Sequence, residues 1–452
     1  MNIQDFKSLL FEKARGAGFD SFEMYAPSTD SFQVKVFGGE IEEFKSAHSS
    51  GVSFRGTYGG KMGYASTEKV AEDSIEYLLD AARANAAVIE DKDTEPLYAG
   101  DAEYPVVNSF NEKLSAAETS EKCALAKHLE TAALEYDKRV VSVDLAVMGT
   151  FEGEIVIANS LGLDVSHRSN GAFAVAMVRV QSEGGEPKVG FESWAGSDLE
   201  SFSPDNVART AVEKGLAQLG ASKAATANTE VVFNNETAAD IFASFASNFF
   251  AEDVQKGFSL LGGKLGQKIA SDVLTLRDDG YIDGCVGSKP FDSEGVAAKN
   301  KAVIENGVLK TFLYNLKSAE KDGVDSTGNG FKRGLTGPIT TGCGLFAVQP
   351  SRVSFDQILD MAGDGILITK LEGLHAGVNA VTGDFSLSAG GFEIIGGKIG
   401  SPVDQMVVSG NFYEMIRDIV QVGSDLRFDT PSGDGTFGSP SVYAGKLNIS
   451  GV

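Results

Sequence analysis

A chain of 452 residues is too long for one ordinary core, and at roughly 150 residues per domain it predicts two or three. Hydrophobic residues at 42% and charged residues at 23% are those of a soluble globular protein, with no run of about 18 apolar residues to cross a bilayer. The net charge of −24, with no cluster of Lys and Arg interleaved with aromatics, repels phosphate backbones and excludes direct nucleic-acid binding.

Ile3, Phe6, Leu9, Leu10 and Ala14 fall on one face at helical spacing before Gly16 and Gly18. Asp5 and Glu12 within this pattern, and the lack of a basic then apolar leader, make it a first helix and not a signal peptide. Phe32, Val34 and Val36 alternate with polar residues, Gly38 and Gly39 turn the chain, and strands follow from Ile41, over 52–58 and over 62–65. Residues 70–89 place Ile75, Leu78, Leu79, Ala82 and Ala86 on one stripe, a second helix covering that antiparallel meander. Residues 90–107 hold two prolines, several acids and no periodicity, and predict an irregular connection.

The same order then recurs. A helix over 115–136 precedes strands at 140–147, 154–159 and 172–180, the last pairing with 188–192 across a turn at 182–185, and a helix over 205–219 closes the set. The small, polar, aperiodic run 221–229 is the natural boundary. The expected organisation is an N-terminal α/β domain over 1–222, with two similar halves at 1–95 and 108–222, and a β-rich C-terminal domain over 229–452. In the latter, one helix at 236–253 presents Ile241, Phe242, Phe245, Phe249 and Phe250, and glycine-rich strand and turn make up the rest. The fold class is α+β. A long, polar, glycine-rich stretch at 321–338 interrupts the strands, as functional loops often do. Cys123, Cys285 and Cys343, odd in number and far apart, fit buried thiols in a reducing compartment, so the expected location is cytoplasmic.

Residues 371–411 crowd nine glycines among short apolar alternations and predict strands broken by tight turns. Thr382-Gly383-Asp384-Phe385-Ser386, the pair Gly390-Gly391, Pro402-Val403 and Ser409-Gly410-Asn411 follow one another here. In this order they resemble the C-terminal signature of the TldD/PmbA family, the U62 metallopeptidases also called modulators of DNA gyrase. Residues 36–67 are similar to the family's paired-strand signature and residues 435–451 to the PmbA-like ending, so the resemblance covers nearly the whole chain.

In the metal-bearing TldD-like members, the helix corresponding to 236–253 carries HExxxH and, with a cysteine near the C-terminus, binds zinc. Counting back from Gly262-Gly263-Lys264-Leu265-Gly266 puts Phe242, Ala243 and Ser247 at the two histidine positions and the glutamate. Phenyl, methyl and hydroxyl groups are not zinc donors. None of His48, His128, His167 and His375 precedes a glutamate, no two are close in sequence, and the last sixty residues hold no cysteine. These departures point to the PmbA/TldE-like branch, for which the resemblance implies a chain without metal of its own. Its implied partner is a TldD-like subunit bearing the zinc, or itself in a homodimer, in a cytoplasmic assembly that cleaves unfolded peptides; neither nucleic acid nor membrane is an expected partner.

His375 and Asp384 are the weak catalytic candidates: an imidazole oriented by a carboxylate, with Ser386 or Thr382 as nucleophile, would make an autonomous hydrolase. The blander reading is turn hydrogen bonding. Phe245, Phe249 and Thr382 are candidates for lining a peptide groove, against the simpler reading of the phenylalanines as a buried helix face. The GxGxxG spacing at 433–438 follows Pro431 and runs into Ser439-Pro440, so it is a turn and not a dinucleotide loop, and no GxxxxGK[ST] occurs. A non-enzymatic binder that modulates a partner such as gyrase is the remaining alternative.

Overall fold

In the computed structural model, which describes residues 1–90, 95–431 and 435–451, helix α1 (Ile3–Gly16) starts where the Asn2 side chain accepts the Asp5 N–H. It buries Phe6, Leu10 and Ala14. Beyond it lies an antiparallel meander of β1 (Ser21–Phe37), β2 (Glu40–Ser50), β3 (Val52–Tyr58) and β4 (Lys61–Thr67), covered by α2 (Asp73–Val88). The described part of the next connection, 95–111, has no regular structure; residues 91–94 of the expected irregular stretch lie outside the described residues. Next come α3 (Glu112–Ser115), α4 (Thr119–Tyr136), β5 (Val140–Asn159), β6 (Asp164–Val180), β7 (Lys188–Gly196) and α5 (Pro204–Leu216).

Two strands expected at 140–147 and 154–159 are one, because β5 runs unbroken through Gly149. A Cβ there would fall 2.3 Å from the Phe173 ring on the paired strand, so that glycine makes room for a neighbour and does not break the strand. β1 also pairs with β5 from Glu23↔Asn159 to Val36↔Ala146, which merges the two similar layers into one seven-stranded sheet, β4-β3-β1-β5-β6-β7 with β2 on β1. Strand alternation then sorts its faces. Phe22, Met24, Phe54, Val34, Met148 and Ala174 turn toward the helices; Glu23, Tyr25, Ile155, Ile157 and His167 turn the other way, toward the second half of the chain.

The second half opens with β8 (Ser222–Lys223), β9 (Ala227–Phe233), α6 (Asn235–Ser244), a 3-10 turn at Ala246–Phe249 and α7 (Ala251–Gln255). The single helix expected over 236–253 is thus interrupted. Leu313 takes over the backbone there: its N–H donates to the Phe249 carbonyl and its carbonyl accepts the Ala251 N–H, which holds Phe250 extended at φ −80°, ψ 123°.

A smaller sheet follows, from β10 (Leu276–Asp279), β11 (Asn300–Glu305) and β12 (Val308–Leu309), with α8 (Leu316–Asp322), the hairpin β13 (Gly330–Lys332) and β14 (Ile339–Thr341), and β15 (Leu345–Val348). After α9 (Phe355–Ala362) come the long strands β16 (Gly365–Glu372), β17 (Asp384–Ile395) and β18 (Lys398–Asn411), then α10 (Phe412–Asp418), β19 (Gln421–Val422), β20 (Arg427–Phe428), β21 (Thr436–Ser439) and β22 (Val442–Gly451). β22 pairs with β9 on one side and β18 on the other, so β22, β9, β16, β17 and β18 close on themselves. The helices α8, α9 and α10, absent from the sequence expectation, are short and start at side-chain caps, Asn315, Ser354 and Asn411. No helix among the described residues is long and apolar enough to cross a membrane. Of the cysteines, Cys343 is buried, Cys123 and Cys285 are half-buried, and none forms a disulfide.

Candidate functional site

Helix α6 is anchored by Thr237, whose hydroxyl donates to the Ile368 carbonyl of β16 at 3.0 Å, beneath an Asn234 cap. From this fixed start the phenylalanines point inward. Phe245 stacks on Phe412 with centroids 4.4 Å apart, Phe242 meets the same ring edge-on at 5.9 Å, and Phe249 lies 6.0 Å from Phe346. All three are buried, so Phe245 and Phe249 do not line a groove; they fill the core of the second unit. Ala243 and Ser247 instead border a cavity of about 210 Å3 with Phe250, Thr340 and Thr341.

The donor set at 242, 243 and 247, where the resemblance puts the zinc motif, does not fit a zinc ion: Phe242 is a phenyl ring locked in the core, and Ala243 and Ser247 offer a methyl and one hydroxyl. Among the described residues, no group of three or more His, Cys, Asp and Glu converges as a metal requires.

His375 lies within the loop at 373–383 and Asp384 at its end, and both are exposed. Asp384 accepts from Thr382 Oγ1 at 2.8 Å and from Asn411 Nδ2 at 2.9 Å, and these two bonds hold its carboxyl below the usual carboxylate range. The structure thus brings Asp384 together with Thr382 and Asn411 in a turn, and gives no bond from it to His375 or Ser386. Of the GxGxxG spacing, the described part starts at Gly435 and continues into β21, not into a helix; Gly433 and Asp434 lie outside the described residues.

The densest chemistry lies elsewhere, where the second face of the large sheet meets residues 278–298 and 328–344. A cavity of about 420 Å3 opens there. Strand pairing sets Glu23 opposite Arg55, which binds it through Nε at 2.8 Å, while Asn159 Nδ2 reaches the other oxygen at 3.2 Å. Asp292 accepts the N–H groups of Glu294, Val296 and Gly330 at 2.7–3.0 Å, and Glu294 accepts that of Leu316 at 2.8 Å. Burial, then the charge of Asp292, pushes the Glu294 carboxyl well above its ordinary range, and Arg55 opposes them.

On the sheet side, His167 Nε2 lies 2.6 Å from Ser109 Oγ; burial and the charge of Lys289 push its pKa down to about 4, so the ring is neutral. Burial also lowers Lys289, and burial with Arg55 brings Lys332 down to about 8. None of these residues stood out in the sequence. The one available signal was charge at inward positions of strands, Glu23 among Phe22, Met24 and Tyr25, and it acquires meaning only once Arg55 is placed opposite.

A second polar junction joins the halves beside it. Arg427 binds Glu192 of β7 and, at 2.6 Å, Glu236 of α6, and Lys214 of α5 reaches the same two carboxylates at 2.8 and 2.6 Å.

Comparison with known proteins agrees with this architecture over the whole length. Family models for the PmbA/TldA metallopeptidase match as domain 1 at residues 23–86, the central domain at 112–219 and the C-terminal domain at 226–451. The metalloprotease PmbA of Escherichia coli O157:H7 is 30% identical over 440 residues, 94% of this chain and 92% of its own. A candidate modulator of a DNA gyrase from Thermotoga maritima, of known crystal structure, is 30% identical and superposes with a TM-score of 0.89, covering 99% of this chain and 100% of its own. TldE from Thermococcus kodakarensis, at 22% identity and the same TM-score and coverage, shares the fold. The chain belongs to the TldD/PmbA metallopeptidase family.

Proposed function

We propose that this chain is the PmbA/TldE-like subunit of a cytoplasmic peptidase assembly, without metal of its own, that works on unfolded peptides together with a zinc-bearing TldD-like subunit. The observation that carries the reading is Phe242, which the resemblance puts where TldD-like members have their first zinc-binding histidine: its ring is 2% exposed and packed against Phe412. A metallopeptidase needs a Lewis acid to acidify water and a carboxylate to take the proton, and this helix face supplies neither. What the chain contributes is enclosure and peptide contacts.

The test is peptide turnover by this chain, by a TldD-like chain and by their mixture, in buffer and in chelator. The expected result is chelator-sensitive cleavage by the mixture and none by this chain alone. Cleavage by this chain at the rate of the mixture, resistant to chelator and lost in Asp384→Asn, would place the chemistry at the exposed turn instead. The naming of the Thermotoga maritima relative favours a second reading, a binder of gyrase without proteolysis. A pull-down that retains gyrase and no TldD-like chain supports it. A TldD-like partner, or a second copy of this chain in its place, makes the species at least a dimer by light scattering.

A further inference from the structure

Strand β2 stands apart from the other long strands. Nine of its eleven residues are exposed, on both faces of the sheet, and among the described residues only β1 pairs with it. Its outer edge therefore presents N–H and C=O groups that no strand of the chain takes up. Apolar side chains reach water along it: Ile41 and Phe44 are 41% and 53% exposed, and Phe37, just before the turn, is 54% exposed.

The strand is held firmly for all its exposure. The buried Glu130 of α4 accepts the N–H groups of Gly38 and Gly39 at 2.6 and 2.8 Å and so fixes the turn. Lys35 binds Glu42 at 2.7 Å, and Phe44 packs edge-on against Phe32 with ring centroids 5.3 Å apart. The pairing with β1 has one irregularity, between Val36↔Ile41 and Lys35↔Glu43, which leaves residues 43–50 as a regular edge. A fixed, open edge of this kind is a template for one more strand.

The side chains say which strand fits. A second copy adding antiparallel about a two-fold axis normal to the sheet keeps each face, so over the regular edge only residues an even number apart come opposite each other. Centred on Phe44, this sets Phe44 against its own copy and Glu43 against Lys45, twice. The rows continue those within the chain, where Val34 lies opposite Phe44, Lys35 opposite Glu43 and Gln33 opposite Lys45. One face then reads Val34, Phe44, Phe44, Val34 across the axis, and the other alternates in charge through Lys35, Glu43 and Lys45. Glu43 and Lys45, 2.5 Å apart within one strand, trade that contact for the same contact across the axis. Centring on Glu43 or on Lys45 opposes like charges instead, and centring on Ser46 puts Glu43 opposite Ser49 and Lys45 opposite Ala47.

We propose that β2 is a self-association edge, at which a second copy of this chain adds its own β2 antiparallel, with Phe44 on the two-fold axis and Glu43 opposite Lys45. The inference concerns this chain alone and does not rest on the pairing with a metal-bearing subunit. One strand edge buries less than a standard protein interface, so the dimer is reversible and forms as concentration rises.

The test is light scattering of the full chain from about 1 to about 100 µM, with amide deuterium exchange at both ends of that range. The parent moves from monomer to dimer, and exchange over 40–50 slows at the higher concentration. Lys45→Glu, which sets Glu43 against a glutamate, weakens the dimer about tenfold, and Glu43→Lys combined with Lys45→Glu, which makes the charges opposite again, recovers most of that loss. Phe44→Lys, which sets two ammonium groups on the axis, abolishes the dimer. Phe44 and Lys45 are exposed and Glu43 half-buried, so each variant melts with the parent in dilute solution; if Lys45→Glu melts lower, the double variant decides, since only the pairing explains a recovered dimer. A parent monomeric at about 100 µM, a dimer indifferent to Phe44→Lys and Lys45→Glu, a double variant no better than the single one, or association with a TldD-like subunit only overturns the proposal. Exchange over 40–50 that ignores concentration does the same. No turnover is measured, so failure here is separable from failure of the peptidase reading.

Discussion

At the scale of single residues, Phe245 shows how little freedom the end of α6 retains. Its ring is stacked between neighbours with no exposed surface, so Phe245→Ala should leave a hole costing about 3–5 kcal/mol, read as a lowered urea midpoint with unchanged slope. Phe245→Asp should prevent stable folding, because an unpaired carboxylate would be left in an apolar core. Glu294 makes a prediction about pH. An acid whose folded pKa is raised holds its proton longer when folded, so its contribution is complete below the ordinary carboxylate range and is lost as pH climbs through the raised value. Melting temperature should therefore fall from the ordinary carboxylate range up to about pH 8, and Glu294→Gln, which keeps an oxygen for the Leu316 N–H, should flatten that fall. A parent profile that is flat or rises over this range removes the basis for the claim. That phenyl, methyl and hydroxyl groups stand at 242, 243 and 247 was legible in the sequence; that the Phe242 ring is buried against Phe412 was not. The cavity was not, because Lys289, His167 and Tyr25 come together only when distant segments of chain have met.

At the scale of elements, amphipathic stripes located α1, α2, α4 and α5, since each buries a face set by its own spacing. The interruption after α6 escaped the same logic because its cause, the hydrogen bonds of Leu313, lies some sixty residues away in sequence. Glycines show a matching pattern at the two ends of the large sheet. A Cβ on Gly63 of β4 would lie 1.9 Å from the Ala82 carbonyl of α2, and one on Gly190 of β7 the same distance from the Ala211 carbonyl of α5. Each end strand thus lets a helix backbone settle directly upon it. Gly63→Ala and Gly190→Ala should each destabilise by about 1–3 kcal/mol in urea titration, through displacement of the covering helix. Gly59→Ala, where an added methyl meets nothing within 4 Å, is the comparison for backbone strain alone, at its φ of 58°.

At the scale of the whole molecule, polar side chains help to tie the two units together. Arg427 joins carboxylates from both, Lys188 reaches Asp404, and Tyr104 donates to the Gly295 carbonyl at 2.8 Å. Arg427→Met should cost roughly 2–3 kcal/mol, less than a fully buried pair because Arg427 keeps some contact with water, and should hasten proteolytic cutting near 221–229. Cutting at the parent's rate would show that the junction is held by other contacts. The closed ring of the second unit bears on synthesis. β9 is made at residues 227–233, yet its partner β22 comes only at 442–451, so the first strand must wait for the last while some two hundred residues emerge between them. During that interval β9 and β18 present unpaired edges to the ribosome's surroundings, the exposure that holdase chaperones recognise. A nascent chain arrested before residue 442 should therefore stay protease-sensitive beyond β9 and bind such a chaperone, while every strand of the large sheet has already been made.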